Sequence, residues 1–238
     1  MGVNSKYVNG NLVFVDSANK QRFLDVIGPG ACKFIEDFVD TPFASADTPA
    51  SWTVTLVEAG GGDSTVALTD GAGGLLLITT DAAENDGVNM QVTKEAFKLA
   101  SGKPFYFGTR FKISDATESD FIAGLCITDT TLLGGMTDGV YFRKVDGSTD
   151  VKFVLEKNST ETESDAILTA ANDTYMILEF YFDGTNVDAY VNGTLQTRLA
   201  MTNLPDDEDL TPSIAFLTGA AAAKTMTVDW VRCIQINS

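Results

Sequence analysis

The stretch that most limits what this chain can fold into is residues 174–199, which predicts three antiparallel strands joined by two tight turns. Every second residue of the first strand is apolar, namely Met176, Leu178, Phe180 and Phe182. This alternation is typical of a strand with one buried face. Asn192-Gly193 predicts a type I′ hairpin turn, in which both central residues need a positive φ. A meander with one apolar face must pack that face on a second sheet, so the sequence predicts an all-β sandwich.

The rest of the chain fits this architecture, with about a dozen short strands and no long helix. Residues 105–113 alternate strictly, and residues 121–128 are almost continuously apolar, as in a strand covered on both faces. The run VDAYVNGTLQ, which follows the first turn of the meander, resembles the late strands of the concanavalin A-like (laminin G-like) jelly roll. The resemblance spans roughly residues 36–236 and implies a jelly-roll β-sandwich. We assign this domain to residues 36–238 and predict an extended N-terminal arm over residues 1–35.

Charge and composition exclude several classes of function. The 238 residues carry a net charge of −17 and include no histidine. The negative charge disfavours nucleic-acid binding. The absence of histidine excludes catalysis by Ser-His-Asp or Cys-His groups. No apolar run approaches membrane-spanning length, so no membrane partner is predicted. The three cysteines, an odd number, are interpreted as free thiols.

Carboxylates are the side chains of this sequence that could serve as catalytic or metal-binding groups. Glycosidases of this sandwich carry an E-x-D-x-E type run, which places two carboxylates on one face of a strand. The sequence has no such run: Glu179 and Asp183 lie at a strand end, and Glu161 and Glu163 are assigned to a polar loop. We therefore predict no enzymatic activity and no cofactor. Calcium at the acidic run 206–209 is the one metal hypothesis, and a solvated acidic loop is its alternative.

The N-terminal segment is apolar but too short to bury its own side chains. It holds four basic and two acidic residues, a net charge of +2, which leaves −19 for the remaining chain. We predict that it contacts another subunit or a larger assembly; the alternative is a strand pair of the same domain. The predicted contact residues are Tyr7, Leu12, Phe14, Arg22, Phe23, Leu24 and Ile27.

Exposed aromatic side chains on the less buried face of a sheet could stack on sugar rings. Tyr141, Tyr181 and Tyr190 are the candidates for such glycan binding. The alternative is that these tyrosines cover the second face of the sandwich or form a subunit contact.

The opening MGVNSKYVNGNLVFVD…FLDVIGPG, followed by an aromatic-rich jelly roll, resembles virion structural proteins of tailed bacteriophages, and above all those that decorate or cement the outside of the head. The resemblance implies a homotrimer made in the host cytoplasm, located on the outer capsid surface and bound to the major capsid protein. An extended arm would suit this role, because it can add backbone hydrogen bonds to exposed strand edges. The alternative function is a carbohydrate-binding, lectin-like module of a phage head or tail fibre.

Overall fold

The computed structural model describes residues 2–45, 47–58 and 62–237, and nearly all of its regular structure is β. In chain order, the elements are β1 (Val3–Val8), β2 (Asn11–Asp16), β3 (Phe23–Ile27), β4 (Ala31–Glu36), β5 (Phe43–Ser45), β6 (Thr48–Pro49), β7 (Trp52–Val57), β8 (Thr65–Thr69), β9 (Leu75–Thr79), β10 (Gly87–Val92), β11 (Phe105–Ile113), β12 (Ser119–Cys126), α1 (Leu132–Gly135), β13 (Gly139–Lys144), β14 (Asp150–Lys157), β15 (Thr160–Glu163), β16 (Leu168–Thr169), β17 (Met176–Phe182), β18 (Asn186–Val191), β19 (Thr194–Ala200), β20 (Thr211–Thr218) and β21 (Thr225–Ile236).

Two antiparallel sheets form the sandwich. The first, here called the covered sheet, has the order β19-β18-β17-β11-β21-β9-β8, with β4 also paired to β21. The second, here called the cleft sheet, has the order β15-β14-β13-β12-β20-β10-β7, with β16 also paired to β14. The predicted all-β jelly-roll sandwich is confirmed. Among the described residues, no helix is long and apolar enough to cross a membrane.

Aromatic side chains fill the space between the two sheets. Phe107 and Phe180 of the covered sheet stack with ring centroids 5.2 Å apart. Phe142 and Phe153 of the cleft sheet lie 5.0 Å apart, and Phe153 also contacts Phe180 across the sandwich. The inward residues of each strand alternate with outward ones because successive side chains of a strand point to opposite faces. The predicted coverage of residues 121–128 on both faces holds for 121–126, which belong to β12 and are buried at every position, whereas Ile127 is half-buried and Thr128 is exposed.

The two turns of the predicted meander adopt the expected geometry. Asn192 and Gly193 have φ angles of 50° and 77°, the two positive values that a type I′ turn requires. Gly184, in the turn between β17 and β18, has a φ of 94°. At Gly184 a β-carbon would also lie 2.7 Å from the backbone nitrogen of Gly102, so the close approach of two loops adds a second reason for glycine.

The N-terminal segment differs from the extended arm of the sequence-based prediction. Strands β1–β3 form a three-stranded sheet whose inner face packs on the outside of the covered sheet. Val13, Val15 and Phe23 are buried there against Tyr106 and Ile234. Burial of these apolar side chains favours a packed sheet over a free arm. The predicted boundary at residue 35 falls inside β4, which pairs with β21 as part of the sandwich.

Candidate functional site

A small cleft opens on the outer face of the cleft sheet, where neighbouring strands present acidic and basic side chains. Strand alternation places Val140 and Phe142 of β13 in the core, so Tyr141 and Arg143 point outward. The cleft encloses about 190 Å³. Its lining residues are Ile122, Leu132, Gly134, Gly135, Met136, Tyr141, Arg143, Glu156, Ser159 and Glu161.

Two carboxylates of the cleft come from opposite sides of a tight hairpin. Asn158 and Ser159 have positive φ values of 50° and 59° and connect β14 to β15. This two-residue turn pairs Glu156 directly with Glu161 across the two strands. Directly opposed residues of an antiparallel pair have β-carbons about 4.5–5.5 Å apart. The hairpin therefore brings the two acidic side chains to the same face, side by side.

The hydroxyl of Tyr141 lies between the two carboxylates. It is 2.7 Å from Oε2 of Glu156 and 3.5 Å from Oε1 of Glu161. Arg143 donates two hydrogen bonds to Glu161, of 2.6 Å and 2.7 Å, in the bidentate arrangement that is the strong form of this ion pair. A third bond joins Arg143 to Glu163, which also pairs with Lys152.

The two carboxylates have different surroundings. Glu156 is almost fully buried, and burial raises the pKa of its carboxyl above the ordinary value, with the charge of Glu161 adding to the effect. Burial likewise raises the pKa of the Tyr141 hydroxyl, so this group remains a hydrogen-bond donor at neutral pH. Glu161 is partly exposed and carries its own guanidinium partner. The site thus holds one desolvated acid and one paired carboxylate.

A second polar network lies beneath the N-terminal sheet. Oε1 of Glu179 accepts hydrogen bonds of 2.5 Å from both Nε of Arg22 and the hydroxyl of Tyr106. Glu179 is completely buried, and burial raises the pKa of Tyr106. A substrate has no access to Glu179 in this arrangement, so these residues fasten the N-terminal sheet to the sandwich.

None of the three tyrosines predicted to stack on sugars presents a free ring face, which corrects that prediction. Tyr141 and Tyr190 are 1% and 4% exposed. Tyr181 faces the N-terminal sheet and meets the ring of Phe23 edge-on at 5.3 Å. The burial agrees with the alternative that the sequence left open, in which these tyrosines cover the second face of the sandwich. Tyr141 contributes its hydroxyl to the cleft instead of its ring.

The predicted assembly residues divide between the two faces of the N-terminal sheet. Tyr7, Leu12 and Ile27 lie opposite one another in adjacent strands, and Tyr7 and Ile27 are 77% and 58% exposed. Phe14 lies on the same outward face, and Leu24 sits at a bulge where β2 and β3 shift register. Arg22 and Phe23 point inward and are used by the fold itself.

The acidic run proposed for calcium is partly occupied by a lysine. Asp206 and Asp207 pair with Nζ of Lys157 at 2.6 Å and 2.9 Å. Within the part of the chain that the structure describes, no group of three or more potential ligands is arranged to hold a metal ion. Calcium binding here stays a prediction.

Sequence reasoning missed Glu156 and placed Glu161 in a loop. Thr160–Glu163 reads TETE, with no apolar alternation to indicate a strand. The available signal was Asn158 in a short polar break after a clear strand, because a two-residue turn there forces Glu156 opposite Glu161.

Comparison with known proteins identifies the fold. No protein-family model matches the chain, and no curated protein matches its sequence. Among solved structures, an endo-1,3-β-glucanase from Streptomyces sioyaensis superposes with a TM-score of 0.62 at 12% identity, covering 89% of this chain and 99% of the other. A β-glucanase from Bacillus licheniformis gives 0.56 at 14% identity, with coverage of 84% and 96%. A protein of unknown function from Shewanella oneidensis MR-1 gives 0.59 at 12% identity, with 86% of both chains covered.

The chain therefore has the concanavalin A-like jelly roll of the endo-glucanases. At these identities, the likeness shows the fold alone. The prediction that the chain is not an enzyme is contradicted, because several of the solved structures that share this fold are glucanases. That prediction rested on the absence of histidine and on the missing E-x-D-x-E run within one strand. The second criterion does not detect two carboxylates that are brought together across a hairpin.

Proposed function

We propose that this chain binds a glucan-type oligosaccharide at the cleft sheet and hydrolyses a glycosidic bond there. The observation that carries the proposal is the convergence of Glu156 and Glu161 on the Tyr141 hydroxyl inside a cleft. Glycoside hydrolysis needs two carboxyl groups on one site, one protonated to donate to the leaving oxygen and one ionised. The endo-glucanase fold supports the substrate class.

The environments of the two residues assign their roles. Burial raises the pKa of Glu156, which suits the proton donor. Glu161, fixed by the bidentate contact with Arg143, supplies the negative charge that faces the developing positive charge of the sugar. A water molecule then bonds to the anomeric carbon and passes its proton to the carboxylate pair, which restores the site. Tyr141 orients the acid through its 2.7 Å hydrogen bond.

The test is turnover and binding on a panel of β-1,3- and mixed-linkage glucans, followed as reducing ends and by calorimetry. Glu156→Gln and Glu161→Gln should each lower turnover by about 10²-fold or more, since positioned acids and bases contribute roughly 10²–10⁴. Glu163→Gln is the matched control, because Glu163 lies on the same strand and pairs with the same arginine but does not line the cleft. Absence of both binding and turnover by the unaltered protein across the panel would contradict the proposal.

A second proposal, attachment to a phage capsid, is supported by the outward face of the N-terminal sheet. Val3, Tyr7 and Ile27 are each more than half exposed on this face, and exposed apolar groups of this kind mark protein contacts. The resemblance to virion decoration proteins suggests the major capsid protein as the partner and a trimer as the form of attachment.

Co-sedimentation with undecorated heads of the encoding phage tests this second proposal. The double change Tyr7→Glu and Ile27→Glu should abolish saturable binding and leave the fold intact, because both side chains point away from the sandwich. Exchange of Leu195, a half-exposed leucine on β19, for glutamate is the control. Undiminished binding by the double variant would exclude the face.

A further inference from the structure

The two lateral sides of the sandwich differ in how their edge strands are protected. On one side, β15 carries Glu161 and Glu163, and β19 carries Arg198 next to an irregular pairing with β18. On the other side, the edge strands β7 and β8 have the sequences WTVTLV and TVALT, without a charge or a proline. Charges, prolines and bulges are the usual means by which edge strands avoid pairing with other chains.

The backbone of β8 is oriented to accept another strand. β8 pairs with β9 on one side, and no strand pairs with its other side among the described residues. The N–H of Val66 donates to Oδ1 of Asp47 at 3.3 Å and therefore points away from β9. In an antiparallel ladder this orientation repeats at every second residue, so the N–H and C=O of Leu68 also point outward.

Apolar surface surrounds this edge. Leu68 is 40% exposed and lies between two concavities. One, of about 370 Å³, is lined by Phe38, Val39 and Leu68 with the turn that follows β8. The other, of about 350 Å³, is lined by Phe43, Asp47, Val66, Ala67 and Leu68. A strand added to β8 would place alternate side chains against these two surfaces, the arrangement by which strand addition gains specificity.

We propose that β8 is a dimerisation edge, which pairs antiparallel with β8 of a second copy about a two-fold axis through Ala67. The sequence Thr-Val-Ala-Leu-Thr is nearly palindromic around this residue. The pairing sets Val66 opposite Leu68 of the partner subunit and Thr65 opposite Thr69 of the partner subunit. The carbonyl of Leu68 of the partner subunit then replaces Oδ1 of Asp47 as the acceptor for the Val66 N–H. The outward groups of Val66 and Leu68 thereby exchange hydrogen bonds with the partner strand, as an isologous interface requires.

A second copy suits this edge because the strand is uncharged, although each chain carries −17. Asp63 and Asp70 bracket the strand, and the two-fold axis brings Asp63 of one copy near Asp70 of the partner subunit at each end of the pairing. Salt screens such repulsion within a Debye length of about 8 Å at physiological ionic strength. Dimerisation should consequently strengthen as the salt concentration rises.

The experiment is sedimentation equilibrium of the full chain between micromolar and 100 micromolar concentrations, at low and high salt. We expect a reversible dimer whose dissociation constant increases by about tenfold or more in Leu68→Lys, a loss of about 1.4 kcal/mol or more. Leu195→Lys is the matched control, since Leu195 is an exposed leucine on the opposite edge strand, and it should change the dissociation constant by less than about twofold.

A second measurement keeps the test independent of the charge substitution. Ala67→Cys should form an intermolecular disulfide on mild oxidation, because the two-fold axis sets residue 67 opposite itself. Leu195→Cys should not cross-link. A monomer at every concentration would overturn the proposal, as would a dimer or a trimer that is insensitive to Leu68→Lys and not cross-linked through position 67.

Discussion

At the scale of single residues, the ionisation of Glu156 in the cleft makes the stability of the fold depend on pH. Burial raises the pKa of its carboxyl in the folded state above the ordinary value of 4.5. An acid whose pKa is higher folded than unfolded adds stability below the unfolded pKa and loses it as pH rises through the folded pKa. We expect the free energy of unfolding of the unaltered protein, relative to Glu156→Gln, to fall as pH rises above about 4.5.

Tyr141 refines this prediction. Its hydrogen bond favours the ionised form of Glu156 and so lowers the carboxyl pKa against the effect of burial. Tyr141→Phe should therefore move the pH-dependent loss to higher pH. Denaturant unfolding of the unaltered protein and of the two variants at several pH values is the measurement. If the free energies of unfolding of the unaltered protein and of Glu156→Gln depended on pH in the same way, the raised pKa of Glu156 would be contradicted.

At the scale of secondary-structure elements, the contact of Arg22 with Glu179 fastens the N-terminal sheet. Both side chains are largely buried, and removal of Glu179 leaves Arg22 only the longer contact of 3.7 Å with Asp16. The loss of one partner of a buried ion pair costs about 3–5 kcal/mol, and the Asp16 contact places the expected cost towards the lower end. Glu179→Gln should therefore lower the free energy of unfolding by an amount of this order. It should also increase amide exchange in β1–β3.

The control for this prediction is a pair in the same part of the chain. Lys33 and Asp25 form an ion pair of 2.6 Å, but both side chains are about 40% exposed. Exposed pairs are worth about 0–1 kcal/mol, so Lys33→Gln should have little effect. Equal effects of the two substitutions would mean that the buried contact does not fasten the sheet.

Elements with a regular alternation were predictable from the sequence, and the way they meet was not. The alternation of residues 105–113 and the Asn192-Gly193 turn are local signals, and both appear in the structure as expected. The docking of β1–β3 on the covered sheet depends on contacts such as Phe23 with Tyr181, which are separated widely in the chain. The cleft includes one feature of each kind. The turn at Asn158 is a local signal, whereas β15, which carries one of the two aligned carboxylates, has no apolar pattern that would predict a strand.

At the scale of the whole molecule, the sandwich has one outer face covered by its own N-terminal residues and one that holds the cleft. Deletion of residues 2–27 would expose Tyr106, Ile234 and their neighbours on the covered sheet. We expect the shortened protein to keep a β-type circular dichroism spectrum, since β4 and the sandwich remain. We also expect it to bind a hydrophobic fluorescent dye that the full chain does not bind. A shortened protein that fails to bind the dye would contradict the assignment of β1–β3 as a cover.

The position of β21 bears on how this molecule is made. This twelve-residue strand pairs with β11 along one side, while its other side pairs with β9 near its start and with β4 near its end. The middle of the covered sheet thus comes from residues 225–236. During translation, β4, β9 and β11 leave the ribosome long before β21, the strand with which all three pair. A domain folds as a unit, so all strands of this sheet must be synthesised before it can form. The covered sheet can therefore form only after nearly the entire chain has been synthesised.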